Sequence, residues 1–223
     1  MRRLFACMVA VALSVATYAQ EEPEYKLELG AGAGTAVYIG DFNSHLLKGM
    51  QPWGAVIVKY HLNPRMALGL DIATTKIKGS SDDVKTWYPI ERYAFSHQLT
   101  ETCVRFEYNF WSYGNGQEYR GSKRLAPFIT TGMGITHHSG ENSGMAMSLL
   151  LGAGVKYKIG QRMNLTAEWG VRFSTSDQLD GRSDVYGIRS SGPFKNTDGY
   201  SVLQLALTYD LWAKCKTCNN DRY

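Results

Sequence analysis

The chain has 223 residues, with 24 basic and 20 acidic side chains, 44% hydrophobic residues and 23 glycines. Two of the basic residues, Arg2 and Arg3, stand at the very start; setting them aside leaves 22 against 20, a near-balance that argues against a nucleic-acid surface. No segment approaches the roughly 18 continuous apolar residues of a helical membrane span, and about 200 residues beyond the start fit one domain.

Residues 1–19 read as a secretory signal peptide. Arg2 and Arg3 give the positive start, residues 4–16 are an apolar run too short to span a bilayer, and Thr17-Tyr18-Ala19 is a small-x-small cleavage site before Gln20. Cys7 has almost no apolar run before it, which argues against a lipoprotein signal.

Eight strands follow in order. The first, residues 25–39, puts Leu27, Leu29, Ala31, Ala33 and Val37 on one face and Lys26, Glu28 and three glycines on the other. The second, residues 53–62, alternates Val56, Val58, Tyr60 and Leu62 with Lys59, and Asn63-Pro64 turns it into the third, residues 65–77, where Met66, Leu68, Leu70 and Ile72 oppose Gly69 and Asp71. The fourth, residues 93–111, alternates Val104, Phe106, Tyr108 and Phe110 with Cys103, Arg105, Glu107 and Asn109; the fifth covers residues 125–137. The sixth, residues 145–159, sets Leu149, Leu151, Val155 and Tyr157 against Gly152, Gly154 and Lys156. The seventh, residues 163–175, has the sharpest pattern: Met163, Leu165, Ala167, Trp169, Val171 and Phe173 alternate with Asn164, Thr166, Glu168, Gly170, Arg172 and Ser174. The eighth, residues 200–212, puts Leu203, Leu205, Leu207, Tyr209 and Leu211 opposite Gln204 and Asp210.

Side chains of a strand point alternately to its two faces, so each strand has one apolar face and one that carries charges or glycine. Lipid-facing apolar rows and lumen-facing polar rows are the pattern of a transmembrane barrel. The expectation is an all-β, eight-stranded antiparallel barrel of the outer membrane over residues 20–212, with residues 213–223 as a tail. The alternative is a soluble lipocalin-like barrel, with the apolar rows inside and the charges outside. Turns after the second and sixth strands are short, whereas residues 40–52, 78–92 and 176–199 are long links, which matches short periplasmic turns and long outer loops. An even strand number places both termini in the periplasm. Residues 112–124 break the rule, being a long, charged connection where a short inner turn is expected, and are a candidate docking element.

Eight strands leave an interior just wide enough to be filled by side chains. The predicted inward charges are Lys26, Glu28, Lys59, Asp71, Glu101, Arg105, Glu107, Lys156, Glu168, Arg172 and Asp210. Five positive groups face six negative ones, so Arg105, Glu107, Lys156, Glu168 and Arg172 are expected in a paired network that plugs the lumen.

Beyond the leader three cysteines remain, Cys103, Cys215 and Cys218. An odd count in an exported protein points to an intermolecular bridge or a free thiol. Cys215 and Cys218 can pair locally or bridge to a periplasmic partner, an oxidising compartment permitting either. Their Cys-x-x-Cys spacing lacks the βαβ context of a redox motif, and no further metal ligand lies nearby. At the end of the fifth strand, His137-His138-Ser139, with Glu141 close by, could form a rim site for a lipid-modifying enzyme only if a bend brings His138 to Ser139. No cofactor motif is present, and a stand-alone barrel for small ligands is the remaining alternative.

Several stretches carry a family resemblance. They are Gly30-Ala31-Gly32-Ala33-Gly34 leading to Tyr38-Ile39-Gly40-Asp41, Arg105-Phe106-Glu107-Tyr108-Asn109-Phe110, Leu151-Gly152-Ala153-Gly154-Val155-Lys156-Tyr157, and Glu168-Trp169-Gly170-Val171-Arg172 followed by Asp177-Gln178-Leu179-Asp180 and Val185-Tyr186. In order and spacing these resemble the PorG-type outer-membrane barrel of the type IX secretion system of Bacteroidetes, over residues 25–212. The family pattern would put an aromatic after Asp177, where this chain has Gln178. The resemblance implies a non-enzymatic role, anchoring or organising a periplasmic ring of PorK-like lipoprotein and PorN-like partner at the outer membrane, with no cofactor and no nucleic acid.

Overall fold

The computed structural model describes residues 25–39, 49–80, 94–114, 122–139, 143–175 and 199–213. They form β1 (Tyr25–Ile39), β2 (Gln51–Asn63), β3 (Met66–Ser80), β4 (Ala94–Asn109), β5 (Leu125–Ser139), β6 (Gly144–Lys158), β7 (Met163–Ser174) and β8 (Gly199–Ala213). Each strand pairs antiparallel with the next, and β8 returns to β1, so the sheet is a closed barrel of eight strands. Closure removes the sheet edges that an open sheet would leave unpaired.

The alternation in the sequence becomes the two sides of the wall. Along β7, Asn164, Thr166, Glu168, Gly170, Arg172 and Ser174 are buried inside, while Met163, Leu165, Ala167, Trp169 and Phe173 are exposed outside. Along β8, Leu205 is 59% exposed and its neighbour Gln204 only 3%. The soluble lipocalin-like arrangement would reverse these faces, and the structure excludes it: charges lie inside and an apolar belt lies outside. Exposed Tyr60, Phe110, Trp111, Tyr157, Tyr209 and Trp212 gather at the end that carries the turns at Pro64 and Gly160. Such amphipathic rings suit the boundary between hydrocarbon and water.

Barrel closure has a local requirement at β1. A Cβ at Gly34 would lie 2.1 Å from the Leu203 carbonyl oxygen, and one at Gly30 2.2 Å from that of Leu207. Only glycine lets β1 approach β8 this closely. The strands also depart from sequence expectation in places. β3 continues to Ser80, and β4 stops at Asn109. Met66, expected on the outer face of β3, is buried where the register shifts at the β2–β3 turn, and Val37, expected on the outer face of β1, is buried beside its register partner Ser201, which is also buried.

At the end away from the turns, the lumen holds a small apolar core, with Tyr38, Trp53, Ile57, Ile77, Leu99 and Val202 among its members. At the turn end, Asn63 Oδ1 accepts a hydrogen bond from the Arg65 amide (2.8 Å), fixing the β2–β3 turn, and the Ile159 amide donates to the Met163 carbonyl (2.9 Å) across the β6–β7 turn.

Candidate functional site

The lumen between these two ends is packed with charge. Six carboxylates, Glu28, Asp71, Glu101, Glu107, Glu168 and Asp210, are buried there with five cations, Lys59, Arg105, Lys156, Lys158 and Arg172, and with His61. Buried charges are tolerated only when paired and hydrogen-bonded, and the pairs fall into layers.

Nearest the turn end, Lys158 Nζ meets Asp210 Oδ2 at 2.6 Å, and Asn164 Nδ2 donates to the other oxygen of Asp210 at 2.8 Å. Next, Lys156 bridges Glu107 (2.6 Å) and Glu28 (3.3 Å), Lys59 pairs with Glu107 (2.6 Å), and His61 Nε2 lies 2.8 Å from Glu28. In the middle, Arg105 binds Asp71 at 2.6 Å through one nitrogen and Glu168 through another. The last layer joins Arg172 Nε to Glu101 (2.8 Å), which also accepts from the Tyr200 hydroxyl and from Ser148. There the charges give way to the apolar core: the Arg172 guanidinium lies 4.5 Å from the Trp53 ring centre, and Trp53 Nε1 donates to Gln204 (3.1 Å).

Arg105, Glu107, Lys156, Glu168 and Arg172 therefore all lie in the lumen, each with an opposite charge against it. Arg172 takes Glu101 rather than Glu168. Lys26 is half-exposed and makes no ion pair among the described residues; Lys158, at the end of β6, stands in the lumen instead. Glu28, His61 and Asp210 offer donor atoms within 4.8 Å of one another, spacing that could suit a metal ion. Lys156 and Lys158 already lie against these carboxylates, so ammonium groups supply the charge a metal would bring.

The turn end is capped by a residue the sequence pattern did not single out. Tyr113, just beyond β4, places its ring 5.1 Å from Lys156 Nζ and 5.2 Å from Lys158 Nζ, and its hydroxyl donates to Asn164 Oδ1 at 2.7 Å. Its amide donates to the Pro64 carbonyl (3.0 Å), and the Lys123 amide donates to the Ser112 carbonyl (2.8 Å). The described ends of the long connection thus fold across the mouth. Burial pushes the Tyr113 phenol well above its ordinary pKa, and the charges of Glu28, Asp210 and Glu107 act in the same direction. Tyr113 stays a neutral donor.

At the other rim, His138 points inward and is buried, while Ser139 points outward and its hydroxyl lies 3.4 Å from the Gln98 carbonyl. The two side chains diverge, as strand alternation requires; Glu141 lies outside the described residues. Cys103 is a free, buried thiol inside the barrel. Cys215 and Cys218 lie outside the described residues.

A filled lumen, an apolar outer wall and an aromatic ring at one end define a small β-barrel of the outer-membrane kind. The chain belongs to the family described as a domain of unknown function, DUF6089, which matches residues 2–220. A search of curated proteins finds no match. Among solved structures the barrel is similar to Neisserial surface protein A (13% identity, TM-score 0.49, covering 83% of this chain and 97% of that one). It is also similar to OprG of Pseudomonas aeruginosa (9%, 0.49, 87% and 99%) and to the outer membrane enzyme PagL (14%, 0.41, 82% and 99%). At these identities the likeness concerns the fold alone.

Proposed function

We propose that this barrel is a non-enzymatic outer-membrane component of type IX protein secretion, which anchors or organises a periplasmic ring of PorK-like lipoprotein and its PorN-like partner. In this reading both termini and the capped turn end face the periplasm, and the barrel wall contacts outer-membrane lipid. The observation that supports it best is the filled lumen. Four layers of ion pairs, with Tyr113 at one end and an apolar core at the other, leave little room for a passing solute. What remains able to act is the surface at the turn end and the tail that follows β8. The family resemblance in the sequence points the same way.

The tail, residues 213–223, carries Lys214, Lys216, Cys215 and Cys218, and when extended it reaches about 35 Å. Cys215 or Cys218 forms a disulfide with the ring lipoprotein, a bridge that restricts dissociation without a large interface. The test is a non-reducing gel of envelopes from the native strain, Cys215→Ala, Cys218→Ala and the double mutant. A higher band, lost in one single mutant and returned to monomer by reductant, is expected. Four monomer lanes with normal secretion in the double mutant would move the docking role to residues 112–124.

A further inference from the structure

The end of the barrel away from the turns bears a groove of about 640 Å³ in its outer wall, over β2, β3 and β4. Its lining includes Gly54, Thr74, Lys76, Lys78, Ser96 and Gln98. Gly54 is the register partner of Thr74, Lys76 of Gln98 and Lys78 of Ser96, so these residues form neighbouring rungs of one wall. A Cβ at Gly54 would meet no atom within 4 Å, so the groove is open there. Toward the turns the same outer face continues into exposed Val56, Ile72 and Leu70.

Two facts fix the chemistry of an occupant. The first is charge: Lys76 and Lys78 are exposed on the same face of β3, and among the described residues the groove is lined by no acidic side chain and neither lysine makes an ion pair. Two residues apart on a strand, they stand about 7 Å from each other. The second is depth. Lys76 lies ten residues along β3 from Met66, about 33 Å of strand and roughly 25 Å along the axis of a tilted barrel. That is the far edge of an apolar band about 25 Å tall, where acyl chains end and headgroups begin.

We propose that this groove docks a phosphorylated glycolipid of the surrounding leaflet. Lys76 and Lys78 hold the phosphate by charge-assisted hydrogen bonds, Ser96 and Gln98 meet sugar hydroxyls, and an acyl chain runs from Gly54 along Val56 and Ile72. This site goes beyond the anchoring role and lies at the opposite end of the barrel from Ala213, where β8 ends, so either can fail without the other.

The experiment uses the purified full chain in phosphatidylcholine nanodiscs, titrated with diphosphoryl lipid A, with the same lipid dephosphorylated, and with millimolar inorganic phosphate as competitor. Binding is read by native mass spectrometry. Diphosphoryl lipid A is expected to bind, and Lys76→Ala/Lys78→Ala to weaken it about tenfold or more, the loss of one strong charged contact being worth about that factor. Gly54→Leu, which fills open space, is expected to weaken it similarly, whereas Arg124→Ala, at the turn end, leaves it unchanged. Heat-modified gel mobility checks folding, and Lys76→Gln/Lys78→Gln replaces the alanine pair if that pair does not fold. Equal binding by the lysine variants, equal binding of the dephosphorylated lipid, or displacement by inorganic phosphate alone would each overturn the proposal; the last would mark a site for free anions.

Discussion

Arg172 shows how a single lumen residue is held. Its guanidinium is 2.8 Å from Glu101, and it rests on the rings of Trp53 and Tyr200. Removing it leaves Glu101 buried with the Tyr200 and Ser148 hydroxyls but without its cation. Breaking one side of a buried pair typically costs about 3–5 kcal/mol, whereas replacing both sides with neutral groups of similar volume costs far less. Arg172→Met is therefore expected to lose about that much stability, and Arg172→Met/Glu101→Gln clearly less, measured by urea unfolding from lipid vesicles. A double mutant as unstable as the single would mean that Arg172 acts through packing on Trp53 and not through charge. The inward position of Arg172 was legible from strict alternation in β7. Its partner was not, because register within a strand says nothing about which carboxylate faces it across the lumen. The same limit explains Lys26 and Lys158, both near strand ends, where the last rungs of the ladder decide which side chain turns in.

At the scale of an element, the connection after β4 is the least legible part of the described structure. A loop has no periodicity, so nothing in Ser112-Tyr113-Gly114 marked Tyr113 as the cap of the barrel. Its hydroxyl reaches Asn164 because the Pro64 carbonyl and the Lys123 strand bridge hold its backbone. The raised pKa of its phenol has a definite sign. The unfolded phenol ionises near 10.0 and the folded one higher, so the cap's contribution is complete below about pH 10 and is lost as pH rises beyond it. Tyr113→Phe keeps the ring over Lys156 and Lys158 but loses one hydrogen bond, worth about 0.5–1.5 kcal/mol. The stability gap between native protein and Tyr113→Phe is expected at pH 8 and to shrink or vanish by pH 11. A gap of constant size at both pH values would show that the phenol's ionisation plays no part. The apolar core at the other end escaped sequence reading for a different reason. Trp53, Ile57, Leu99 and Val202 are apolar residues on inward rows, and apolar residues by themselves do not reveal whether lipid or other side chains cover them.

At the scale of the whole molecule, the sequence pattern fixes which face of the wall meets lipid, and the interior then decides what the barrel can do. Period-two alternation was readable because a wall between lipid and a polar lumen demands opposite chemistry at successive residues. The filling of that lumen follows from size: eight strands enclose a space that side chains of the size of Arg105, Lys156 and Arg172 occupy. The layers at Lys158, at Lys156 and Lys59, and at Arg172 match each cation to a carboxylate, and the Arg105 guanidinium is held between Asp71 and Glu168, so an ion entering would have to break ion pairs along the whole lumen. Purified protein in planar bilayers is accordingly expected to show no steady porin-like current. Tyr113→Ala is expected to stay nearly silent too, since it opens only the turn end and leaves the Arg105 and Arg172 layers and the Trp53 core in place. Large, lasting currents from the native chain would contradict a filled lumen and with it the case for a structural role. Currents that appear only with Tyr113→Ala would instead make the cap the single barrier, and would assign to the connection after β4 a gating part that the ion-pair layers do not supply.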